Sequence, residues 1–164
     1  MIYTAAVLNE NSAHLLRWLT KALTDLENEG YVFKTTQGEP LPHHMTLNLG
    51  TFDESLNKRN VLGGFAELHI DRISFNHNIG ICAAPVNKAR VETTAFTSSE
   101  WVDLNSMNDH PHITTCVKPG VSPKFSNDML DNATQGTIEV LLDQTYILEG
   151  WVKEVKPQKT YTGK

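Results

Sequence analysis

The chain is poor in the features that place a protein quickly. No stretch approaches the ~20 consecutive apolar residues that span a bilayer. The opening "MIYTAAVLNENS" has no basic segment followed by a long apolar run, so no secretory signal is expected. Glycine-rich phosphate loops of the GxGxxG and Walker kinds are missing, which argues against a dinucleotide-binding fold or a P-loop nucleotidase. Cysteine is scarce. Cys82 and Cys116 form neither a CxxC pair nor a zinc-like spacing, and both sit among apolar neighbours, as buried thiols of a reducing compartment do. Positive charge is also short, with 14 Lys and Arg against 19 Asp and Glu and a net charge of −5. Phosphate neutralisation supplies most non-specific affinity for long nucleic acid, so a long polynucleotide is not the expected partner. A small anionic ligand held by a few aimed donors is compatible with this charge. The expectation is a soluble cytoplasmic protein with no membrane contact, forming one domain over residues 1–164. A chain of that length buries roughly two thirds of its unfolded surface and needs neither disulfide nor metal to fold.

Hydrophobic periodicity supplies a coarse layout. "MIYTAAVLN" is β-branched and apolar and reads as a strand. Leu15, Leu16, Leu19, Leu23 and Leu26 then recur at helical spacing, with Asn11 or Ser12 as cap and Gly30 as stop, and Trp18 is expected to pack. "HHMTLNLG" alternates like a strand. "FAELHIDRISF" and "IGICAAPV" read as a hairpin turning at "NHN", "RVETTAF" and "HITTCV" as further strands, and Ser126 as the cap of a short helix. "GTIEVLLDQTYILEGWVKEV" reads as two final strands. The pattern predicts an α+β fold with largely antiparallel sheets.

Two short stretches then stand out, His44-Met45-Thr46 and His112-Ile113-Thr114, 68 residues apart. In a strand, residues i and i+2 share a face, so each stretch points a histidine and a threonine forward and an apolar anchor backward. Histidine exchanges protons near neutrality, and threonine offers a short, stiff hydroxyl donor. Two such pairs facing one cleft would set two imidazoles around a phosphodiester, one to deprotonate the attacking oxygen and one to protonate the leaving oxygen. The threonines would hold the non-bridging oxygens, and no metal or other cofactor is required. Seven histidines and seventeen threonines give about 0.7 such triplets by chance, so counting alone is a weak signal. The strand alternation around both triplets, and a proline within two residues before each, carry the reading.

These residues resemble the two-histidine phosphoesterases, which carry one His-x-Thr/Ser-x motif in each of two lobes. "HMTL" matches that motif fully, and "HITT" departs only at Thr115, where the family has an apolar residue. The resemblance implies a bilobal α+β fold, two antiparallel β-sheets forming a central cleft with flanking helices. It implies His44 and His112 as the acid/base pair and Thr46 and Thr114 as phosphate binders. It also implies a metal-independent phosphodiesterase acting on 3′-5′ or 2′-5′ bonds of cyclic nucleotides or cyclic oligonucleotide messengers. Compact size and motif placement are most similar to the phage enzymes that destroy such host alarm signals (anti-CBASS nucleases), which would work in a host cytoplasm. An RNA-end 2′,3′-cyclic phosphodiesterase is the enzymatic alternative, and a non-catalytic nucleotide sponge the binding alternative.

Further histidines, aromatics and lysines offer other chemistry. His43, His44, His110 and His112 could form a metal set, but adjacent strand residues point to opposite faces and no Cys or spaced carboxylate completes it. Nucleobases favour aromatic stacking surfaces, for which Tyr3, Trp101, Tyr146 and Trp151 are candidates. Tyr3 and Trp151 are preferred, with Lys118 as a phosphate contact after the second motif and Lys124 as a solvated loop lysine. Oligomeric state is not legible.

Overall fold

The computed structural model describes residues 2–23, 26–95, 97–131 and 135–156. Eight strands, β1 (Tyr3–Leu8), β2 (His44–Leu49), β3 (Phe65–Asn76), β4 (Ile81–Pro85), β5 (Lys88–Glu92), β6 (Trp101–Asp103), β7 (His112–Val117) and β8 (Ile138–Val155), join two helices, α1 (Glu10–Leu23) and α2 (Ser126–Asp131). All strand pairs are antiparallel. They run in the order β4-β7-β2-β1-β8-β3-β5-β6, and β4 pairs back onto β3. Six strands therefore close into a barrel, with β5 and β6 as a short extension beside it. This corrects the expected bilobal α+β architecture. There is one closed, mostly β sheet instead of two sheets flanking a cleft, with helices of only 14 and 6 residues.

The closure comes from strand length. β3 pairs β8 along one edge, while its other edge pairs β5 with residues 65–69 and β4 with residues 74–76. β8 was expected as two strands and runs unbroken for 18 residues. Between the pairs Ile70↔Tyr146 and Arg72↔Leu141, two steps along β3 face five along β8. The extra residues form a bulge, which bends a strand without ending it. Gly150 is required where β8 meets β1, since any side chain there would overlap the carbonyl of Val7.

The main apolar cluster draws on every strand of the ring (Ala6, Met45, Leu68, Ala84, Ile113 and Leu148 among others) and on α1 through Leu16 and Leu19, so it is the barrel interior. The cap of α1 is Asn9, whose Oδ1 accepts the Ser12 N–H at 2.8 Å. Ser12 was a candidate cap; its hydroxyl instead accepts the Glu149 N–H at 2.8 Å and ties the helix to β8. The described helix ends at Leu23, before the expected stop at Gly30. Trp18, expected to pack, is 64% exposed. It lies about 200° around the helix from the buried Leu16.

A second, smaller cluster lies on the outward face. β4 alternates: Cys82 and Ala84 belong to the interior, whereas Ile81 and Ala83 join Leu41, Val117, Met129 and Leu130. α2 and the segment before β2 are thus seated on the outside of β4 and β7. Cys82 and Cys116 are cross-strand partners, both free and buried, and burial pushes the Cys82 thiol well above its usual range. No helix among the described residues is long and apolar enough to cross a membrane.

Candidate active site

β2 and β7 are neighbours joined at one Cα pair, Met45↔Ile113, and both of those side chains are fully buried in the interior. Alternation then turns His44, Thr46, His112 and Thr114 outward together. Antiparallel register crosses the two stretches, setting His44 beside Thr114 and Thr46 beside His112. Beyond that pair the β2 edge is taken by the loop before β7. Met107 N–H donates to the Leu47 carbonyl at 2.7 Å, and Ser106 Oγ to the Thr46 carbonyl at 2.8 Å. The strands are held close while a space opens above them.

That space is a cavity of about 540 Å³. Its floor is the four His and Thr side chains, and its walls come from the loop through Thr35, Thr36, Gln37 and Glu39, from Met107 and Asn108, and from Ser122, Lys124 and Asn127. Tyr3 of β1 completes it; its ring centroid lies 4.8 Å from that of His44. Burial, then the charge of Glu39, push the Tyr3 hydroxyl up to about 12, so it remains a neutral donor at ordinary pH.

Each floor side chain has a defined partner. His112 Nδ1 lies 2.7 Å from the His110 carbonyl oxygen, so Nδ1 carries the hydrogen and donates, leaving Nε2 with a lone pair in the neutral ring. His110 is itself anchored, its Nε2 donating to Asp131 Oδ1 at 2.6 Å. His44 Nε2 lies 3.1 Å from Thr46 Oγ1, and its Nδ1 lies 2.9 Å from His43 Nδ1. Thr114 Oγ1 shares a 2.8 Å hydrogen bond with Ser126 Oγ of α2. Burial, then the nearby charges of His43 and His112, push His44 down to about 3. Burial also lowers His112, against the upward pull of its bond to the His110 carbonyl. Both rings are therefore neutral at ordinary pH, and an anion placed between them would raise both.

Of the expected site residues, His44, Thr46, His112, Thr114 and Tyr3 come together at the cavity. Two others lie elsewhere. β7 carries the chain away from the cavity, and Lys118 ends at the far side, where Nζ donates to the His77 carbonyl at 3.1 Å. Trp151 sits two strands from His44, through Val7, with its ring 5.2 Å from that of Phe65. Lys124, expected to be a solvated lysine, is exposed and also lines the wall. His43 was expected to face away from His44. β2 begins at His44, so strand alternation does not reach His43, which lines the same cavity. Ser126 was read as a helix cap, and only the fold brings it to Thr114. Thr115 is fully buried and donates to the Cys82 carbonyl at 3.2 Å, which accounts for a polar residue at the motif's apolar position. Among the described residues no group of three or more His, Cys, Asp or Glu is placed to hold a metal ion.

A model of the family described as the fungal tRNA ligase phosphodiesterase domain matches residues 34–155, about three quarters of the chain and both His-x-Thr stretches. The chain belongs to that family. It is accordingly a phosphoesterase of the tRNA ligase phosphodiesterase family, and the match leaves out β1, with Tyr3, and α1. A solved structure titled "Crystal Structure of Fungal RNA Kinase" is similar over 92% of this chain and 45% of its own, with a TM-score of 0.57 and 13% identity. At that identity the likeness is one of fold, and the family member described here spans less than half of that longer chain. No curated protein matches.

Proposed function

We propose that this domain hydrolyses 2′,3′-cyclic phosphates at RNA ends by a metal-independent, two-histidine mechanism. The observation that carries the reading is the placement of His44 and His112 on neighbouring strands above one cavity, each with a threonine beside it. The RNA-end substrate draws on the family's own name, which ties this phosphodiesterase domain to tRNA ligases. The cyclic-oligonucleotide substrate, preferred from sequence, gains no such support.

The hydrogen bonds suggest a division of labour. Neutral His112 has Nε2 free to take a proton from water as the water oxygen bonds to phosphorus. One ribose P–O bond breaks, and its oxygen leaves as a hydroxyl with a proton from His44, charged once the substrate anion is in place. Thr46 and Thr114 donate to the non-bridging oxygens. A cavity of about 540 Å³ falls within the range usual for small-molecule sites, large enough for a terminal nucleotide.

A substrate panel in chelator tests this: an oligoribonucleotide with a 2′,3′-cyclic end, 2′,3′-cyclic mononucleotides, and cyclic di- and trinucleotides. Opening of the first two is expected. Turnover of the cyclic oligonucleotides alone would restore the other substrate. Intact ligand recovered after heat denaturation, with binding unchanged in His44→Ala and His112→Ala, would make the domain a sponge. Activity lost in chelator and restored by zinc would refute the metal-free mechanism.

A further inference from the structure

We propose that His43 is a positioning residue, whose Nδ1 accepts the Nδ1–H of His44 and so holds His44 with Nε2 toward the phosphate. The inference rests on the two-histidine reading. Two imidazole nitrogens 2.9 Å apart share one hydrogen, because two lone pairs would repel and two N–H groups would collide. If His43 were the donor, His44 could carry a hydrogen only on Nε2, and it could not become an imidazolium without breaking the contact. A general acid must pass through the imidazolium. Only His44 as donor and His43 as acceptor survives the whole cycle. His43 then does for His44 what the His110 carbonyl does for His112.

The two acceptors differ in one respect. A carbonyl does not titrate, whereas His43 does. Protonated His43 carries its own Nδ1–H and stops being an acceptor, so His43 must stay neutral for His44 to work. The surroundings serve this: burial and the Lys153 ammonium of β8 disfavour the charged ring, opposed by the Glu39 carboxylate from the loop before β2. Around His44 stand the ring of Tyr3 from β1 and His112 from β7. The acid side of the activity profile therefore contains two required deprotonations, His112 and His43.

The experiment joins NMR to kinetics. Long-range ¹H–¹⁵N spectra of the free wild-type protein are expected to find neutral His44 with its hydrogen on Nδ1. His43→Leu, which cannot accept, should release that tautomer and lower kcat by about 10–100-fold, with KM within about threefold. His43→Asn, whose amide oxygen accepts without titrating, should keep the tautomer, recover most of kcat, and reduce the acid limb of kcat/KM from two protons to one. A wild-type His44 carrying its hydrogen on Nε2 overturns the inference, as does a His43→Asn variant no better than His43→Leu. The wild-type spectrum needs no turnover. Inactivity on every cyclic phosphate would therefore sink the functional reading while the tautomer still decides the role of His43.

Discussion

The two His-x-Thr stretches are near copies in sequence and different in support. On β7, His112 hangs from a backbone carbonyl, and Thr114 shares its hydroxyl with Ser126 of α2. On β2, His44 is held only by side chains, His43 on one nitrogen and Thr46 on the other. Substitution can strip the support from the first motif but cannot remove the carbonyl beneath the second. The environments follow suit. His44 is pushed down to about 3 by burial and two neighbouring imidazoles, while the carbonyl works against the fall of His112. Symmetric motifs thus have asymmetric support, one ring locked by the backbone and the other adjustable through side chains.

The sharpest break of the comparison is removal of the rings themselves. His44→Ala and His112→Ala are each expected to lower kcat on a 2′,3′-cyclic substrate by about 10²–10⁴-fold, and the double variant by little more than the worse single one, because the two act in one step. Single-turnover rates on a cyclic mononucleotide measure this. Independent, multiplying losses would mean that the two rings do not share a transition state.

The threonines come next. If the threonines bind the phosphate as proposed, Thr46→Val and Thr114→Val each remove a donor and should cost about 10²-fold in kcat. They should part company in stability. Thr114→Val leaves the Ser126 hydroxyl, which is 0% exposed, without its partner. An orphaned buried hydroxyl costs about 1–3 kcal/mol, so the melting temperature should fall for Thr114→Val and fall less for Thr46→Val, which frees His44 Nε2 at the cavity, where water can replace the hydroxyl. Adding Ser126→Ala to Thr114→Val should restore the melting temperature but not the activity. Equal melting behaviour in the two threonine variants would place Ser126 outside any supporting role.

Acid denaturation sharpens the contrast between the rings. A histidine held below its unfolded value of about 6.5 binds its proton more readily in the unfolded chain. Stability is therefore complete above about pH 6.5 and falls as pH drops toward the folded value, about 3 for His44. His44→Gln should flatten that decline by up to about 1.4 kcal/mol per pH unit between those limits, read from urea midpoints at several pH values. His112→Gln should flatten it less, since the carbonyl bond offsets part of the burial. A steeper decline in either variant would contradict the neutral, buried rings.

The same contrast explains what could be read from sequence. Period-two alternation is a local property, so the shared outward face of His44 and Thr46, and of His112 and Thr114, was legible. So was the hairpin of β3 and β4, whose two strands and connecting turn lie within 21 residues, Phe65–Pro85. Barrel closure was not, because it depends on β3 pairing β4 and β5 along one edge, a choice fixed by tertiary packing. His43 was misjudged for a related reason: alternation was applied one residue before the strand begins. Ser126 reached Thr114 through the packing of α2 on β4 and β7, which no local pattern encodes.

The smallest expected effects concern the two residues that sequence favoured and the fold placed away from the cavity. Lys118 stands six residues beyond His112, roughly 20 Å along an extended strand, with its ammonium on the His77 carbonyl. Lys118→Met should leave KM for a cyclic mononucleotide within about twofold, because the half-buried ammonium has its partner outside the cavity. Trp151 is the finer test. Two strand spacings put it roughly 10 Å from His44, on the same outward face and 45% exposed. That is beyond a bound mononucleotide but within reach of the next base of an RNA strand, and stacking on an aromatic is worth about 1–3 kcal/mol per base. The Trp151 ring meets that of Phe65 at an interplanar angle of 66°. Against such stacking stands the acidic balance of the chain, −5 overall, which weakens any hold on a phosphate backbone. Charge is expected to win. Trp151→Leu should change KM by less than about twofold for both a cyclic mononucleotide and a cyclic-ended oligoribonucleotide. A loss of tenfold or more confined to the oligoribonucleotide would reverse that judgement and extend the substrate path from the cavity across β1 to β8.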